Sequence, residues 1–181
     1  MVDRALADRF IAGALAAGAE VFESPSVGKA LAEVSALLSE AKLTRLIASP
    51  SLRRAAQGAH LEAAFPEALE EIAGAQAGIV RADYGAAETG TLVHLDAGDV
   101  EKLIWTLPPL CVCLLEHRRL VPDLQSLAAA ISDHLSRGGR PGPQVSLVTG
   151  PSRTADIECQ LTIGVQGPGR LVIFLVDGEV G

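Results

Sequence analysis

The sequence predicts an α/β fold with a layered, mostly parallel sheet that is covered by helices on both faces. Short, continuous apolar runs alternate along the chain with amphipathic helical segments. Continuous apolar runs are typical of strands buried on both faces, and the strand–helix–strand alternation favours parallel strands joined by right-handed crossovers. The chain has 181 residues, of which 49% are hydrophobic, so it can bury a sizeable core and we expect a single domain over residues 1–181.

Helical periodicity marks the first part of the chain. Residues 4–17 form an Ala-rich segment with one apolar face, and Ser24 and Pro25 suit the cap and first turn of a second helix. The apolar positions of these two helices are Leu6, Phe10 and Ala14, and then Val27, Leu31, Val34 and Leu38. We therefore expect a helical N-terminal segment, about residues 1–40, that packs on the rest of the domain.

The remaining elements follow from shorter patterns. The predicted strands lie at residues 45–48, 78–82, 91–95, 111–115, 145–149 and 171–176. A further helix begins at Asp123 and ends at Gly138 and Gly139, with an apolar stripe on one face. Its stripe consists of Leu124, Leu127, Ala128, Ile131 and Leu135.

Charge and cysteine content exclude several classes of protein. A net charge of -7 argues against nucleic-acid binding, which needs clustered Lys and Arg. The three cysteines Cys111, Cys113 and Cys159 lack metal-ligand spacing, and a zinc site or iron–sulfur cluster usually needs about four ligands. We expect no metal and no cofactor on this chain, and buried free thiols at Cys111 and Cys113.

Targeting signals are not visible in the sequence. The N-terminus mixes acids and bases and lacks an apolar signal core. The longest apolar stretch, around residues 103–115, is interrupted by Thr106 and by two prolines, so it falls short of the ~20 residues that span a bilayer. We expect a cytoplasmic protein with no membrane contact.

A first candidate site lies in residues 83–91 (DYGAAETGT), between two predicted strands. Ligands of open α/β sheets bind where strands end, because loops and helix starts converge there. The Glu88 carboxylate, flanked by Thr89, Gly90 and Thr91, suits a general base, a nucleophile or a hydroxyl contact. A tight turn whose polar side chains only satisfy the backbone explains the pattern equally well.

A second candidate site lies in residues 150–158 (GPSRTADIE), after another predicted strand. Gly150 permits close backbone approach, and Ser152 and Thr154 suit the cap of a helix. The amides of such a helix start, together with Arg153, would bind a carboxylate or phosphate. The alternative is an ordinary helix cap in which Arg153 pairs with an acid such as Asp156.

His94 falls inside a predicted strand, so a core or edge histidine with satisfied hydrogen bonds is favoured over a catalytic one. The charged residues 116–119 follow a predicted strand and are typical of a solvated loop. Trp105 is interpreted as a single core or lid aromatic without an assigned role.

From about residue 82 to residue 177 the sequence resembles the LUD domain family, in particular the LutC-like branch of the lactate-utilization proteins. The resemblance rests on residues 83–91, on 107–109 (LPP), on 150–158 and on 164–169 (GVQGPG), which occur in family order and spacing. Gln166 stands where the family more often has His and is therefore kept out of the catalytic residues.

The resemblance implies a fold similar to sugar-phosphate isomerases and CoA transferases. It also implies a role in L-lactate oxidation to pyruvate, as a non-redox subunit whose partner proteins carry the iron–sulfur clusters. The resulting expectation is that Glu88 is catalytic and that substrate is bound by Thr89, Gly90, Thr91, Gly150, Ser152, Arg153, Thr154 and Asp156. The alternative is a separate enzyme or metabolite-binding protein that uses the same crevice for an anionic sugar or acyl-CoA.

Overall fold

A five-stranded parallel sheet forms the centre of the molecule. The structure, a computed structural model, describes residues 3–95, 98–137, 144–154, 162–164 and 167–180. From one edge of the sheet to the other, the strands are β1 (Glu20–Ser24), β11 (Arg170–Val176), β6 (Leu110–Glu116), β3 (Ala77–Arg81) and β2 (Leu46–Ala48). Because all five strands run in the same direction, their carboxyl ends lie along one edge of the sheet.

Strands β11 and β6 are buried on both of their faces, as their continuous apolar sequences require. In β6, Leu110, Val112 and Leu114 face one core cluster, whereas Cys111 and Cys113 face the other. This alternation follows from the two-residue repeat of a strand. Every residue of β6 is therefore buried.

Helices and a second sheet complete the layers. The helices are α1 (Arg4–Ala16), α2 (Val27–Glu40), α3 (Arg53–Gly58), α4 (Asp99–Thr106) and α5 (Leu124–Arg137). One face of the parallel sheet packs against α2 and α3, and the other face packs against α1, α4 and the second sheet. The α/β class with a mostly parallel sheet and helices on both sides is thus confirmed.

The strands of the second sheet are, in spatial order, β7 (Leu120–Val121), β4 (Tyr84–Ala86), β5 (Thr91–Leu95) and β8 (Val145–Val148). A small separate antiparallel sheet pairs β9 (Arg153–Thr154) with β10 (Thr162–Ile163). Strand β5 is antiparallel to both of its neighbours, whereas β4 and β7 are parallel. Helix α5 covers the outer face of this sheet through Leu127 and Ile131.

The six predicted strands are all present, within one or two residues at each end. The prediction of a helix start at Ser24 and Pro25 is wrong by two residues: Ser24 ends β1, and Ser26 caps α2 by accepting a hydrogen bond from the Lys29 amide at 3.2 Å. The sequence interpretation missed β1 because Phe22 and Glu23 are largely exposed on this edge strand, which blurs the apolar pattern.

Two short elements differ from the sequence prediction. Helix α4 was not predicted, although Asp99 and Glu101 in its first turn favour a helix start and Ile104 and Trp105 are buried. The expected helix start at residues 152–154 is wrong, because Arg153 and the backbone of the next residue form β9. In the part of the chain that the structure describes, no helix is long and apolar enough to cross a membrane.

The buried thiols give a direct test of the core. Burial raises the pKa of Cys111 to about 12 and raises the pKa of Cys113 well above its ordinary value. A Cys159→Ser variant, which leaves only these two thiols, should not react with Ellman's reagent in the folded state and should react fully in denaturant, because the thiolate is the reactive form. Fast reaction of the folded variant would contradict the described packing of β6.

Candidate functional site

The two sequence motifs meet in the structure through a chain of threonine hydroxyls. Thr91 at the start of β5 contacts Thr89 with 2.6 Å between their hydroxyl oxygens, and it contacts Thr149 at the end of β8 with 2.7 Å. Thr91 is buried. Two segments that lie 58 residues apart in sequence are therefore joined by one side-chain hydrogen bond.

Two glycines bring these loops against the C-terminal half of α1. Gly90 and Gly150 have φ angles of +66° and +70°, the left-handed region that L side chains rarely adopt. A Cβ atom at Gly90 would lie 2.1 Å from the amide nitrogen of Ala14, and one at Gly150 would lie 2.2 Å from the carbonyl oxygen of Ala17. Backbone packing on α1 therefore requires glycine at both positions.

Arg153 lies at the end of the same helix. Its guanidinium is exposed and donates a hydrogen bond of 2.8 Å to the carbonyl oxygen of Ala17, the C-terminal cap residue of α1. The last carbonyls of a helix have no partner within the helix, so this contact satisfies one of them. The neighbouring residue Ser152 is held to the loop before β11 by a backbone hydrogen bond to Pro168 at 2.9 Å.

Glu88 lies at the amino-terminal end of α5. Its exposed carboxylate accepts a hydrogen bond of 3.3 Å from the Leu124 amide, while the Asp123 carboxylate accepts one of 2.7 Å from the Ser126 amide. Carboxylates at a helix start satisfy free amides and interact favourably with the helix dipole. Glu88 thus has a structural partner as well as an open, solvent-facing carboxylate.

Strand β4 separates the first motif into two parts. Asp83 follows β3 at the carboxyl edge of the parallel sheet, whereas Glu88 lies past the far end of β4. The second motif lies at the opposite, amino edge of the parallel sheet, because Arg153 contacts Ala17 in the turn between α1 and β1. The expected position at the carboxyl edge therefore holds for Asp83 and is wrong for Glu88.

Three further expectations concern residues with little or no structural description. Asp156 and Gln166 lie outside the described residues. Thr154 belongs to β9, but its side chain lies outside the description. The roles assigned to these residues stay predictions.

A second polar cluster, which the sequence interpretation missed, lies at the carboxyl edge. The Asp83 carboxylate is 3.1 Å from His94 Nδ1 and accepts the Leu95 amide at 2.8 Å. His94 Nε2 lies 3.7 Å from Glu101 on α4, which in turn accepts a hydrogen bond from Ser49 at the end of β2. Ser49 and Glu101 are 52 positions apart, so no sequence spacing links them.

His94 is buried, as expected for a core histidine, but its hydrogen bonding is incomplete. Its ring stacks on Trp105 with 5.5 Å between ring centroids. Neither His94 Nε2 nor Trp105 Nε1 has a hydrogen-bond partner among the described residues. An unsatisfied buried polar group costs about 1–3 kcal/mol, so a small polar molecule that hydrogen-bonded to this pair would remove an unfavourable contribution.

Asp83 is the charged end of this cluster. Burial acts to raise the pKa of Asp83, but the hydrogen bonds from His94 and from the Leu95 amide, with the charge of Arg81, outweigh it. The pKa of Asp83 therefore lies below its ordinary value, and the carboxylate is ionised at neutral pH. In the described ranges, no group of three or more His, Cys, Asp or Glu side chains is arranged to hold a metal ion.

Comparison with known proteins defines the class to which this fold belongs. A crystal structure of a DUF162 family protein from Deinococcus radiodurans has the same fold, with a TM-score of 0.71 and 17% sequence identity over 97% of this chain and 99% of that chain. The family model described as LUD domain matches residues 7–176, so the chain belongs to the LUD domain family.

Curated relatives place the chain close to the branch expected from its motifs. It is 32% identical over 102 residues to lactate utilization protein C of Geobacillus kaustophilus, covering 56% of this chain and 42% of that protein. It is 34% identical over 103 residues to the protein of that name from Oceanobacillus iheyensis, covering 57% and 44%. It is 29% identical over 111 residues to the uncharacterized Escherichia coli protein YkgG, covering 61% and 48%. The matches thus span about half the length of these relatives.

Alanine at Gly90 should test the packing of the motif loops on α1. Gly90→Ala combines left-handed strain of about 1–2 kcal/mol with overpacking of about 1–3 kcal/mol, so we expect a loss of about 2–5 kcal/mol in the free energy of unfolding. Gly178→Ala is the matched control, because Gly178 has a φ of +90° but open space around its Cβ position. Equal losses in urea titrations of the two variants would contradict the close contact with Ala14.

The lowered pKa of Asp83 predicts a specific acid sensitivity. A carboxyl group whose pKa is lower in the folded than in the unfolded protein stabilises the folded state. This contribution is complete above the pKa of the unfolded state, about 3.9, and is lost as the pH falls through the lower pKa of the folded state. The free energy of unfolding of Asp83→Asn should therefore fall less between about pH 5 and pH 3 than that of the wild type. An unchanged slope in Asp83→Asn would contradict this assignment.

Proposed function

We propose that this protein is a component of a lactate-utilization system, in which it supports the oxidation of L-lactate to pyruvate as a non-redox subunit or accessory protein. Similarity to several relatives named lactate utilization protein C supports this role. The observation that carries the proposal is the hydrogen bond between Thr91 and Thr149, because it joins the two segments in which the family resemblance is concentrated.

The proposed substrate contacts lie where these loops meet. The exposed Arg153 guanidinium would bind the carboxylate of a small hydroxy acid, since arginine matches carboxylate geometry. The exposed Glu88 carboxylate would accept a proton or a hydroxyl hydrogen bond. Thr89, Gly90, Thr91, Gly150, Ser152 and Thr154 would shape the site, with Asp156 orienting the arginine.

The iron–sulfur clusters are assigned to partner proteins. The sequence contains three cysteines, and a cluster usually takes four protein ligands. Cys111 and Cys113 are fully buried on strand β6, and burial raises the pKa of both thiols. Such thiols are poor ligands, and this supports the proposal that the iron–sulfur clusters are carried by partner proteins.

We also propose that the fold is similar to that of sugar-phosphate isomerases and CoA transferases. It rests on the layered α/β architecture, and a shared architecture does not establish a shared reaction. It motivates an alternative in which the protein binds or converts an anionic sugar or acyl-CoA. Ligand-dependent stability separates the two ideas, because a ligand that binds only the folded state raises the melting temperature by mass action.

A genetic complementation experiment tests the function. A strain without this gene should not grow on L-lactate as sole carbon source, and the wild-type gene should restore growth. Glu88→Gln and Arg153→Ala should restore it poorly, because one removes the proton acceptor and the other the carboxylate contact. Glu40→Gln and Arg54→Ala, at exposed positions away from both loops, are the matched controls.

The outcomes separate the role from the site. Normal growth of the deletion strain on L-lactate would contradict the function itself. Full complementation by both loop variants would refute the assigned site, whereas the role would stand. Melting temperatures of the purified variants are needed beside growth, because Glu88 and Arg153 also contact the ends of α5 and α1. Stabilisation by a sugar phosphate or CoA but not by L-lactate would favour the alternative.

A further inference from the structure

We infer that the carboxyl edge of the parallel sheet holds a second ligand site, for a small uncharged molecule with several hydroxyl groups. The site lies where the adjacent strands β1, β11 and β6 end. It is separate from the motif loops, which lie at the amino edge, and it does not rest on the proposed function.

A cavity of about 370 Å³ opens at this position. Its lining residues are Arg4, Glu23, Ser24, Pro25, His117 and Asp177. The volume falls within the range of about 300–1,000 Å³ that is typical of small-molecule sites. In open α/β sheets ligands bind outside the carboxyl ends of the strands, and three of these ends converge here.

The hydroxyl of Ser24 points to an occupant. Ser24 is the last residue of β1 and is only 3% exposed, yet its hydroxyl oxygen has no hydrogen-bond partner within the described part of the chain. A buried hydroxyl without a partner is unfavourable, and a rotation of this side chain toward the cavity that Ser24 lines would let a ligand satisfy it. The chain then continues directly into α2, whose first amides also lack partners within the helix.

The ionic pairs around the cavity decide the class of ligand. Arg4 contacts Glu23 at 2.7 Å and Asp8 at 2.9 Å. His117, whose side chain is 8% exposed, lies 3.4 Å from Glu23 and 3.0 Å from Asp177. The Arg4 guanidinium is thus already paired with two carboxylates, whereas His117 Nδ1 is buried near Asp177 without a hydrogen bond to any described residue.

This pairing disfavours a charged ligand. An anion would approach the carboxylates of Glu23 and Asp177, and a cation would approach the guanidinium of Arg4. Hydroxyl groups donate and accept hydrogen bonds without adding charge, so they match a mixture of carboxylates, guanidinium, imidazole and a free serine hydroxyl. A second cavity of about 330 Å³ is also lined by His117 and Asp177, so it adjoins the first. The two cavities together leave room for a monosaccharide-sized molecule.

NMR titration of the ¹⁵N-labelled full chain tests this inference, with D-ribose and D-glucose as neutral probes. L-lactate, inorganic phosphate and putrescine serve as charged probes. A neutral probe should shift the amide resonances near Ser24 and Asp177 saturably. Ser24→Ala should weaken its affinity about three- to tenfold, the effect of one hydrogen bond between uncharged groups. The melting temperature of this variant should not fall, because it replaces a hydroxyl that lacks a partner.

Ser39→Ala, at an exposed position near the end of α2, is the matched control and should bind the neutral probes like the wild type. Absence of any saturable shift with either neutral probe would overturn the inference. Tighter binding of L-lactate, phosphate or putrescine in this cavity would overturn the assigned ligand class. Unchanged affinity in a folded Ser24→Ala variant would show that the serine hydroxyl is not a ligand contact.

Discussion

Close packing of helix α1 against the rest of the molecule is the constraint on which the other features depend. Phe10 is fully buried, and Gly90 and Gly150 bring two loops against the backbone of the helix at Ala14 and Ala17. At this distance even one methyl group would collide with backbone atoms, which cannot move without disturbing the helix. The position of α1 therefore sets the position of both motif loops.

The fold distributes its polar groups over two opposite edges of the parallel sheet. The motif loops and Arg153 lie at the amino edge, beside the turn between α1 and β1. The carboxyl edge holds the cluster around His94 and the cavity around Ser24. Because Asp83 follows β3 at the carboxyl edge while Gly90 packs against Ala14 in the last turn of α1, a motif that is continuous in sequence contributes to both edges.

The buried polar groups at the carboxyl edge cannot be explained by stability alone. Each satisfied contact returns only about 0.5–1.5 kcal/mol, and an unsatisfied one costs more than that. Asp83 and Glu101 flank His94 from two elements, but the ring nitrogen facing Glu101 is too far away for a hydrogen bond at 3.7 Å. An incomplete network of this kind adds little to the stability of the fold.

Sequence patterns predicted the α/β class, the six main strands, the family, and the helices α1, α2 and α5 to within about two residues at their starts. These features are local, since a strand or helix leaves its apolar period in a short segment. The contacts of Thr91 with Thr149, of Glu88 with the start of α5 and of Ser49 with Glu101 were visible only in the folded molecule. Contacts over such separations depend on strand order and packing, and no local pattern of residues encodes them.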